Sequence, residues 1–209
     1  MYFEKDICYH VYNVGNNSQK LFINTENYLF FLKKVRKEIR PYCEILAYCL
    51  MPNHFHFMII ATEKSVKPAS SKNPNIQVLS RKFGTLQSSY SQAINNELKR
   101  KGSLFQQKTK SKSLHENITD KNAWNGRTGC LKPLYINTCF YYIHQNPIEA
   151  KLVNKNEDWQ FSSFLDYCDM RDGTMCNKKL ANEILDIDFD NYYYAFNKKL
   201  ADDNLKNIW

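Results

Sequence analysis

The sequence predicts an α+β protein built on a ferredoxin-like βαββαβ antiparallel sheet with its helices on one face. Two observations lead to this fold class. Short stretches rich in β-branched and aromatic residues are separated by two longer segments in which apolar residues recur at helical spacing. Their order along the chain is strand, helix, hairpin, helix, strand, which is the order of the ferredoxin-like fold.

The first strand and helix are predicted from the N-terminal part of the chain. The stretch "ICYHVYNVG", residues 7–15, has strand composition and runs into a Gly-Asn-Asn turn. A helix is expected over residues 24–39, with Thr25 as its cap, because apolar residues there repeat every three or four positions. Pro41 ends this helix.

The next two strands form a predicted hairpin. Residues 43–51 and the stretch "HFHFMIIA", residues 54–61, both have strand composition. Pro52 and Asn53 between them indicate a tight turn. Residues 63–75 are polar, contain two prolines and are expected to form a loop.

The second half of the chain supplies the remaining elements. A long helix is expected from Gln77 to Lys101, where Gly102 stops it, and a fourth strand within residues 103–114. Residues 115–133 look like a loop. Another helix is expected over Tyr135–His144, ending before Pro147, followed by an irregular segment and one or two short helices.

Composition limits the classes of function. The excess of 29 Lys and Arg over 21 Asp and Glu gives a net charge of +8, which favours a polyanionic partner. The seven cysteines lack the spacing of a metal or disulfide motif and indicate reduced thiols. Neither a signal sequence nor a run of about 18 apolar residues is present, so we expect a cytoplasmic protein with no membrane association.

Two histidines in "MPNHFHFMII", residues 51–60, form the first candidate site. Residues two apart on a strand point to the same face, so His54 and His56 project together while Phe55 and Phe57 project into the core. The two imidazoles could converge on one ion, or they could lie on a solvated sheet face and bind nothing. Two ligands do not complete a catalytic metal site, so a third must come from elsewhere.

The segment "FYYIHQNPIEA", residues 140–150, offers such groups. Tyr142 and Asn146 are four residues apart, as are Tyr141 and Gln145, so either pair would share a helix face. A tyrosine beside an amide oxygen can supply a nucleophile and a metal ligand together. The competing interpretation is a core aromatic residue followed by the Asn-Pro end of a helix.

Several motifs occur in the order found in a known family. Besides the histidine pair and "YIHQNP", they include "YHVYNVGNN" near the start, "KGSLFQQKTKS" at 101–111 and "EDWQFSSFLDY" at 157–167. Together they resemble the REP-associated tyrosine transposases, a branch of the single-tyrosine HUH transposase superfamily with the insertion-sequence transposases. The resemblance implies a transposase domain over residues 1–167 and a C-terminal helical extension, not an independent domain, over residues 168–209.

The resemblance also implies the site residues and their chemistry. In an HUH nuclease fold, His54 and His56 would bind a divalent cation, Mg²⁺ or Mn²⁺, and Asn146 would complete the set of ligands. Tyr142 would be the nucleophile. The implied activity is that of a transposase: a single-stranded DNA endonuclease and strand transferase that acts at hairpin-forming repeats, in DNA transposition and recombination, through a 5′-phosphotyrosine.

Some assignments stay open at this point. Tyr141 with Gln145 is the alternative catalytic pair. His10 and His115 show no pattern that indicates a role, and His144 is expected to be structural or to contact DNA. A catalytically inactive or domesticated DNA-hairpin-binding protein is the alternative function.

The expected partner is single-stranded or hairpin DNA. The segment "KRKGSLFQQKTKSK" contains six basic residues and no acidic one. Such a run is by itself more typical of a solvated surface, but the resemblance implies a DNA strand near the sheet, so we interpret the run as contacting phosphates. These residues are Lys99, Arg100, Lys101, Lys108, Lys110 and Lys112. The resemblance allows a monomer or a homodimer, and we favour the monomer.

Overall fold

The computed structural model of the chain describes residues 1–114 and 133–201. Its strands are β1 (Cys8–Val14), β2 (Cys43–Met51), β3 (His54–Ala61), β4 (Pro68–Ser70), β5 (Asn73–Gln77) and β6 (Lys110–Ser113). Its α-helices are α1 (Thr25–Glu38), α2 (Glu63–Val66), α3 (Val78–Glu97), α4 (Pro133–Glu149), α5 (Phe164–Tyr167), α6 (Lys178–Ile184) and α7 (Tyr192–Ala201).

Four strands form one antiparallel sheet in the order β2-β3-β1-β6. The first and third strands of the chain are therefore central, which is the ferredoxin-like order, and the predicted fold class is confirmed. The polar loop predicted over residues 63–75 is wrong: α2 and the hairpin of β4 and β5 occupy it. The first four residues of β5 are exposed, so no apolar pattern marks this hairpin in the sequence.

One face of the sheet packs against α1 and α3, as predicted. Phe55 and Phe57 of β3 are fully buried there. The ring of Phe55 lies 5.5 Å from that of Phe31 in α1, and the ring of Phe57 lies 6.5 Å from that of Phe83 in α3. Burial of these aromatic side chains supplies the main hydrophobic stabilisation of this layer.

The other face of the sheet is covered by α4 and the helices that follow it, so the expectation of helices on one face holds for α1 and α3 alone. Met58 of β3 and Cys49 of β2 pack there with Phe140 and Ile143 of α4 and with Tyr192 of α7. Together with α4, the C-terminal helices form a third layer on this face of the sheet. The division of the chain at residue 167 stays a prediction.

Two helix boundaries in the first half differ from the prediction. Asn24, and not Thr25, caps α1, because its side chain accepts a hydrogen bond from the backbone N–H of Asn27 at 2.9 Å. Helix α3 ends at Glu97 instead of Lys101, since Lys99 takes the left-handed conformation with φ of 50°. The first three of the six basic residues therefore lie beyond the helix, in the turn and the irregular segment that follow it.

The predicted end of α4 before Pro147 is also wrong. The helix continues to Glu149, and Ala150 N–H donates to the carbonyl of Asn146 at 2.9 Å. Proline lacks the N–H for one helical hydrogen bond and its ring crowds the carbonyl four residues earlier, but packing on both sides of α4 maintains the last turn. The loop predicted over residues 115–133 lies outside the described residues, except for its last residue, where α4 begins.

His144 in α4 makes two hydrogen bonds within the core. Its Nε2 lies 2.7 Å from the Ser163 hydroxyl and its Nδ1 lies 2.7 Å from the Tyr192 hydroxyl. Ser163 in turn donates to the carbonyl of Tyr48 in β2 at 3.2 Å. The histidine therefore connects α4 with the sheet on one side and with α7 on the other, which confirms its expected structural role.

The cysteines and the helices of the described residues bear on two expectations from the composition. The six cysteines in this part of the chain are all free thiols. Within residues 1–114 and 133–201, no helix combines the length and the apolar character needed to cross a membrane.

We predict that acid destabilises the protein partly through His144. Burial lowers the pKa of His144 to about 3, against about 6.5 in an unfolded chain. The unfolded state alone therefore binds this proton between these values, and the free energy of unfolding falls as pH drops below 6.5. Urea denaturation between pH 5.5 and 4.5 should show a slope about 1.4 kcal/mol per pH unit smaller in His144→Gln than in wild type. Equal slopes in wild type and His144→Gln would contradict the predicted contribution of His144.

Candidate active site

The register of β1 and β3 brings four polar rings to one face of the sheet. Tyr12 lies opposite His56, and Val14 lies opposite His54. Since side chains two apart share a face, His10 stands beside these residues. Its ring is 5.0 Å from that of His56 and 4.8 Å from that of Tyr12.

His54 and His56 converge as their spacing predicts. Their ring centres are 4.8 Å apart and the rings are nearly perpendicular. His56 is only 4% exposed and His54 is half-buried, so a solvated sheet face does not describe this pair. Burial lowers the pKa of both imidazoles, an effect that the Asn146 side chain partly offsets, and both rings are therefore neutral at physiological pH.

Hydrogen bonds determine which ring nitrogens can bind a ligand. Nδ1 of His54 donates to the side-chain oxygen of Asn53 at 2.7 Å, which leaves its Nε2 with a lone pair. Nδ1 of His56 lies 2.8 Å from Nε2 of His10. Nε2 of His56 is buried and has no hydrogen-bond partner among the described residues.

Helix α4 places Tyr142 and Asn146 over the histidines. The Tyr142 ring is 5.6 Å from the His56 ring and 6.1 Å from the His10 ring, edge-on to both. Asn146 donates from Nδ2 to the backbone carbonyl of Tyr142 at 2.7 Å. Its side chain also interacts with His54, His56 and the Tyr142 hydroxyl. The predicted pair on one helix face thus meets the predicted pair on one strand.

The Tyr142 hydroxyl is protonated at neutral pH. Burial raises its pKa to about 12, although the hydrogen bond to Asn146 acts in the opposite direction. A phenol is a poor nucleophile, and a nearby base or cation must activate it. The site therefore combines a candidate nucleophile with the neutral imidazoles that could hold such a cation.

Tyr141 and Gln145 are directed differently. Tyr141 is 7% exposed and packs among C-terminal aromatic residues, with its ring 5.9 Å from that of Tyr192 and 5.8 Å from that of Phe196. The side-chain oxygen of Gln145 is buried without a hydrogen-bond partner among the described residues. The structure brings Tyr142 and Asn146, but not Tyr141, to the histidine pair.

The donor set fits one divalent cation. It consists of Nε2 of His54, Nε2 of His56 and the side-chain oxygen of Asn146, and the buried, unpartnered Nε2 of His56 is the observation that supports it. Imidazole and amide ligands are compatible with Mn²⁺, and an amide oxygen also suits Mg²⁺. Residues 1–114 and 133–201 contain no cluster of three or more His, Cys, Asp or Glu side chains that could hold a metal.

The six basic residues do not lie together. Lys110 is opposite Tyr12 and Lys112 is opposite His10, so both share the histidine face. Their Nζ atoms lie 5.7 Å from the Tyr12 ring and 5.2 Å from the Tyr135 ring. The other four residues stand elsewhere: Lys99, Arg100 and Lys101 follow α3 on the opposite side of the sheet, and Lys108 precedes β6.

Sequence reasoning missed His10, Tyr12 and Asn53 as members of the site. His10 is buried, and burial together with the charge of Lys112 lowers its pKa to about 3. The predicted topology could have identified these residues of β1. In a ferredoxin-like sheet β1 lies beside β3, so alternate residues of "YHVYN" face the same way as the histidine pair.

The fold is shared with a solved transposase. The structure of the REP-associated tyrosine transposase bound to a REP hairpin matches with a TM-score of 0.56 and 18% sequence identity, over 82% of this chain and 84% of that chain. No protein family model matches the chain, and no curated protein does. The chain therefore shares the α+β fold of that solved transposase.

We predict that Mn²⁺ stabilises the protein through His54. A ligand present at a hundred times its dissociation constant adds about 2.7 kcal/mol to the free energy of unfolding. Urea denaturation with and without Mn²⁺ should show this gain in wild type and its loss in His54→Ala. Tyr141→Phe, which alters a side chain that packs among C-terminal aromatic residues and not on the histidine pair, should keep the gain. An equal effect of Mn²⁺ on wild type and His54→Ala would contradict the site.

Proposed function

We propose that this protein is a metal-dependent single-stranded DNA endonuclease and strand transferase that acts at hairpin-forming repeats. The observation that supports this most directly is the position of Tyr142, edge-on to His56 at 5.6 Å, with Asn146 beside both. The fold shared with a hairpin-bound transposase supports the same reaction class. His54, His56 and Asn146 are the proposed metal ligands.

Tyr142 is the proposed nucleophile. Its hydroxyl oxygen attacks a phosphorus atom of the DNA backbone, and the bond from phosphorus to the 3′ oxygen breaks. The leaving oxygen takes up a proton and becomes a 3′-OH, while the 5′ phosphate stays on the tyrosine as a phosphodiester. Covalent catalysis of this kind retains the bond energy, so that a 3′-OH can later attack the phosphotyrosine and rejoin the DNA.

Activation of this tyrosine is the chemical problem that the site must solve. With a pKa near 12 in the buried setting, Tyr142 provides almost no phenolate at neutral pH. A bound divalent cation would polarise the phosphate and stabilise negative charge on the attacking oxygen. His54, His56 and Asn146 would hold it, and the packing of α4 on the sheet keeps the hydroxyl beside them.

Lys110 and Lys112 are the proposed phosphate contacts nearest the reaction. They are exposed, share the histidine face and stand on the strand next to β1. A DNA strand that places a phosphate at Tyr142 can continue along this edge, where two positive charges would attract its neighbouring phosphates. Lys99, Arg100, Lys101 and Lys108 remain candidates for contacts with a more distant part of a hairpin.

The position of α4 also supports a monomer. The helix packs on the sheet of its own chain, where His144 bonds to Ser163 and Tyr192. Tyr142 therefore reaches the histidine pair without exchange of a helix between two copies. The transposase domain over residues 1–167 and the helical extension over residues 168–209 belong to the same proposal.

We predict that a covalent protein–DNA adduct forms on Tyr142. Labelled single-stranded hairpin DNA, incubated with wild type and Mn²⁺ or Mg²⁺, should give a band of protein mass plus DNA that resists denaturation. Tyr142→Phe should give none, because it lacks the attacking oxygen. Tyr141→Phe is the matched control and should keep the adduct, since Tyr141 packs in the C-terminal core.

Two other outcomes would change the assignment. Loss of the adduct in Tyr141→Phe alone would transfer the nucleophile to Tyr141 and its ligand to Gln145. Tight binding of hairpins by wild type, with no adduct at any tested metal, would replace the enzyme by a hairpin-binding protein.

We predict that Lys110 and Lys112 carry more of the DNA affinity than the turn after α3. Each lost contact with single-stranded DNA lowers the slope of log K against log salt by about 0.7. Lys110→Gln with Lys112→Gln should therefore reduce the slope by about 1.4, measured by fluorescence anisotropy on a catalytically inactive Tyr142→Phe background. Lys99→Gln with Lys101→Gln has the same change in net charge and should alter it less. A larger effect of this control pair would contradict the proposed strand path.

A further inference from the structure

We propose that His10 is a positioning residue, which holds His56 in the tautomer that carries its proton on Nδ1 and leaves Nε2 with a lone pair for a cation. The inference rests on the proposed function, because it assigns His56 as a metal ligand. It gives a role to His10, to which the sequence pattern assigned none.

The contact between the two histidines is short and shielded from solvent. Nε2 of His10 and Nδ1 of His56 are 2.8 Å apart, and the residues are 1% and 4% exposed. The rings stack with an angle of 20°. Because both lie on central strands of the sheet, backbone pairing on each side determines the distance between them.

Two arrangements of the shared proton are possible for neutral rings. If His10 donates, the proton of His56 resides on Nε2, where it is buried without an acceptor among the described residues. If His56 donates from Nδ1, its Nε2 has a lone pair instead. In this second arrangement the proton of His10 is on its own buried Nδ1, so both arrangements place one N–H at a buried ring nitrogen and burial does not separate them. A cation at Nε2 of His56 requires the second arrangement, because the coordinating nitrogen must supply its lone pair.

His54 also donates from its Nδ1, but to a different partner. The Asn53 side-chain oxygen accepts from Nδ1 of His54 at 2.7 Å and so leaves Nε2 for a ligand. Ligating histidines commonly donate their other N–H in this manner, which determines both tautomer and ring orientation. His10 would do for His56 what Asn53 does for His54, with an imidazole nitrogen as the acceptor in place of an amide oxygen.

The orientation of His10 is itself constrained. Its ring stacks on Tyr12 at 4.8 Å with an angle of 24°, and Tyr142 covers it edge-on at 6.1 Å. Rotation of the imidazole would therefore disturb both neighbours. Strand pairing and these ring contacts together keep Nε2 directed at His56.

The tautomer can be measured in the metal-free protein. Long-range ¹H–¹⁵N NMR of ¹⁵N-histidine-labelled protein distinguishes protonated from unprotonated ring nitrogens, and spectra of His10→Gln and His56→Gln assign the signals. We expect protonated Nδ1 and unprotonated Nε2 in His56. A proton on Nε2 of His56 would overturn the proposal, and this result needs neither metal nor DNA.

Metal affinity provides the second measurement. His10→Phe keeps an aromatic ring but removes the acceptor. Mn²⁺ affinity measured by calorimetry should fall ten- to a hundredfold, as is typical when a ligating histidine loses the acceptor of its other N–H. His10→Gln restores an acceptor oxygen and should recover most of the affinity. Unchanged affinity in His10→Phe would overturn the positioning role, and circular dichroism of each variant confirms that it is folded.

The outcomes separate this inference from the proposed function. Wild type that binds Mn²⁺ with the expected tautomer but forms no DNA adduct would refute the nuclease and leave the role of His10 intact. Wild type that forms the adduct, with Mn²⁺ affinity insensitive to His10→Phe, would refute the role of His10 alone. Wild type that binds no Mn²⁺ would overturn the ligand assignment in both.

Discussion

The pairing of β1 with β3 at the centre of the sheet is the constraint on which the candidate site depends. The antiparallel register sets Tyr12 opposite His56 and Val14 opposite His54. Side chains alternate between faces along each strand, so a slip of one residue would turn His10 and Tyr12 into the α1 and α3 layer. That slip is resisted because Tyr9 and Val11 are buried on the opposite face.

The second requirement is that α4 stays in place above this face. The helix carries a proline near its end, and contacts with the sheet and with the C-terminal helices hold it in place. His144, fully buried between the hydroxyls of Ser163 and Tyr192, satisfies both ring nitrogens and joins three elements. A buried polar network of this kind, when every member is paired, specifies one arrangement of the helix. Tyr142 and Asn146 then stand over the histidines.

Much of this arrangement could be predicted from local pattern. The histidine pair follows from period-two alternation, and the juxtaposition of Tyr142 with Asn146 follows from helical spacing. His10 could not be found this way, since its role depends on which strand lies beside β3, a long-range property. The choice between Tyr142 and Tyr141 also depended on tertiary packing, because adjacent residues of a helix face different neighbours. The continuation of α4 past Pro147 shows packing overriding a local helix-breaking signal.

The proposed cation site lies on one face of this sheet, between His54, His56 and Asn146 and under the hydroxyl of Tyr142. Anomalous X-ray scattering from crystals grown with Mn²⁺ tests it most directly. The proposed site predicts a single anomalous peak within coordination distance of Nε2 of both histidines and of the Asn146 side-chain oxygen. Crystals that diffract well, contain Mn²⁺ and show no peak there, or show it at other side chains, would contradict the site.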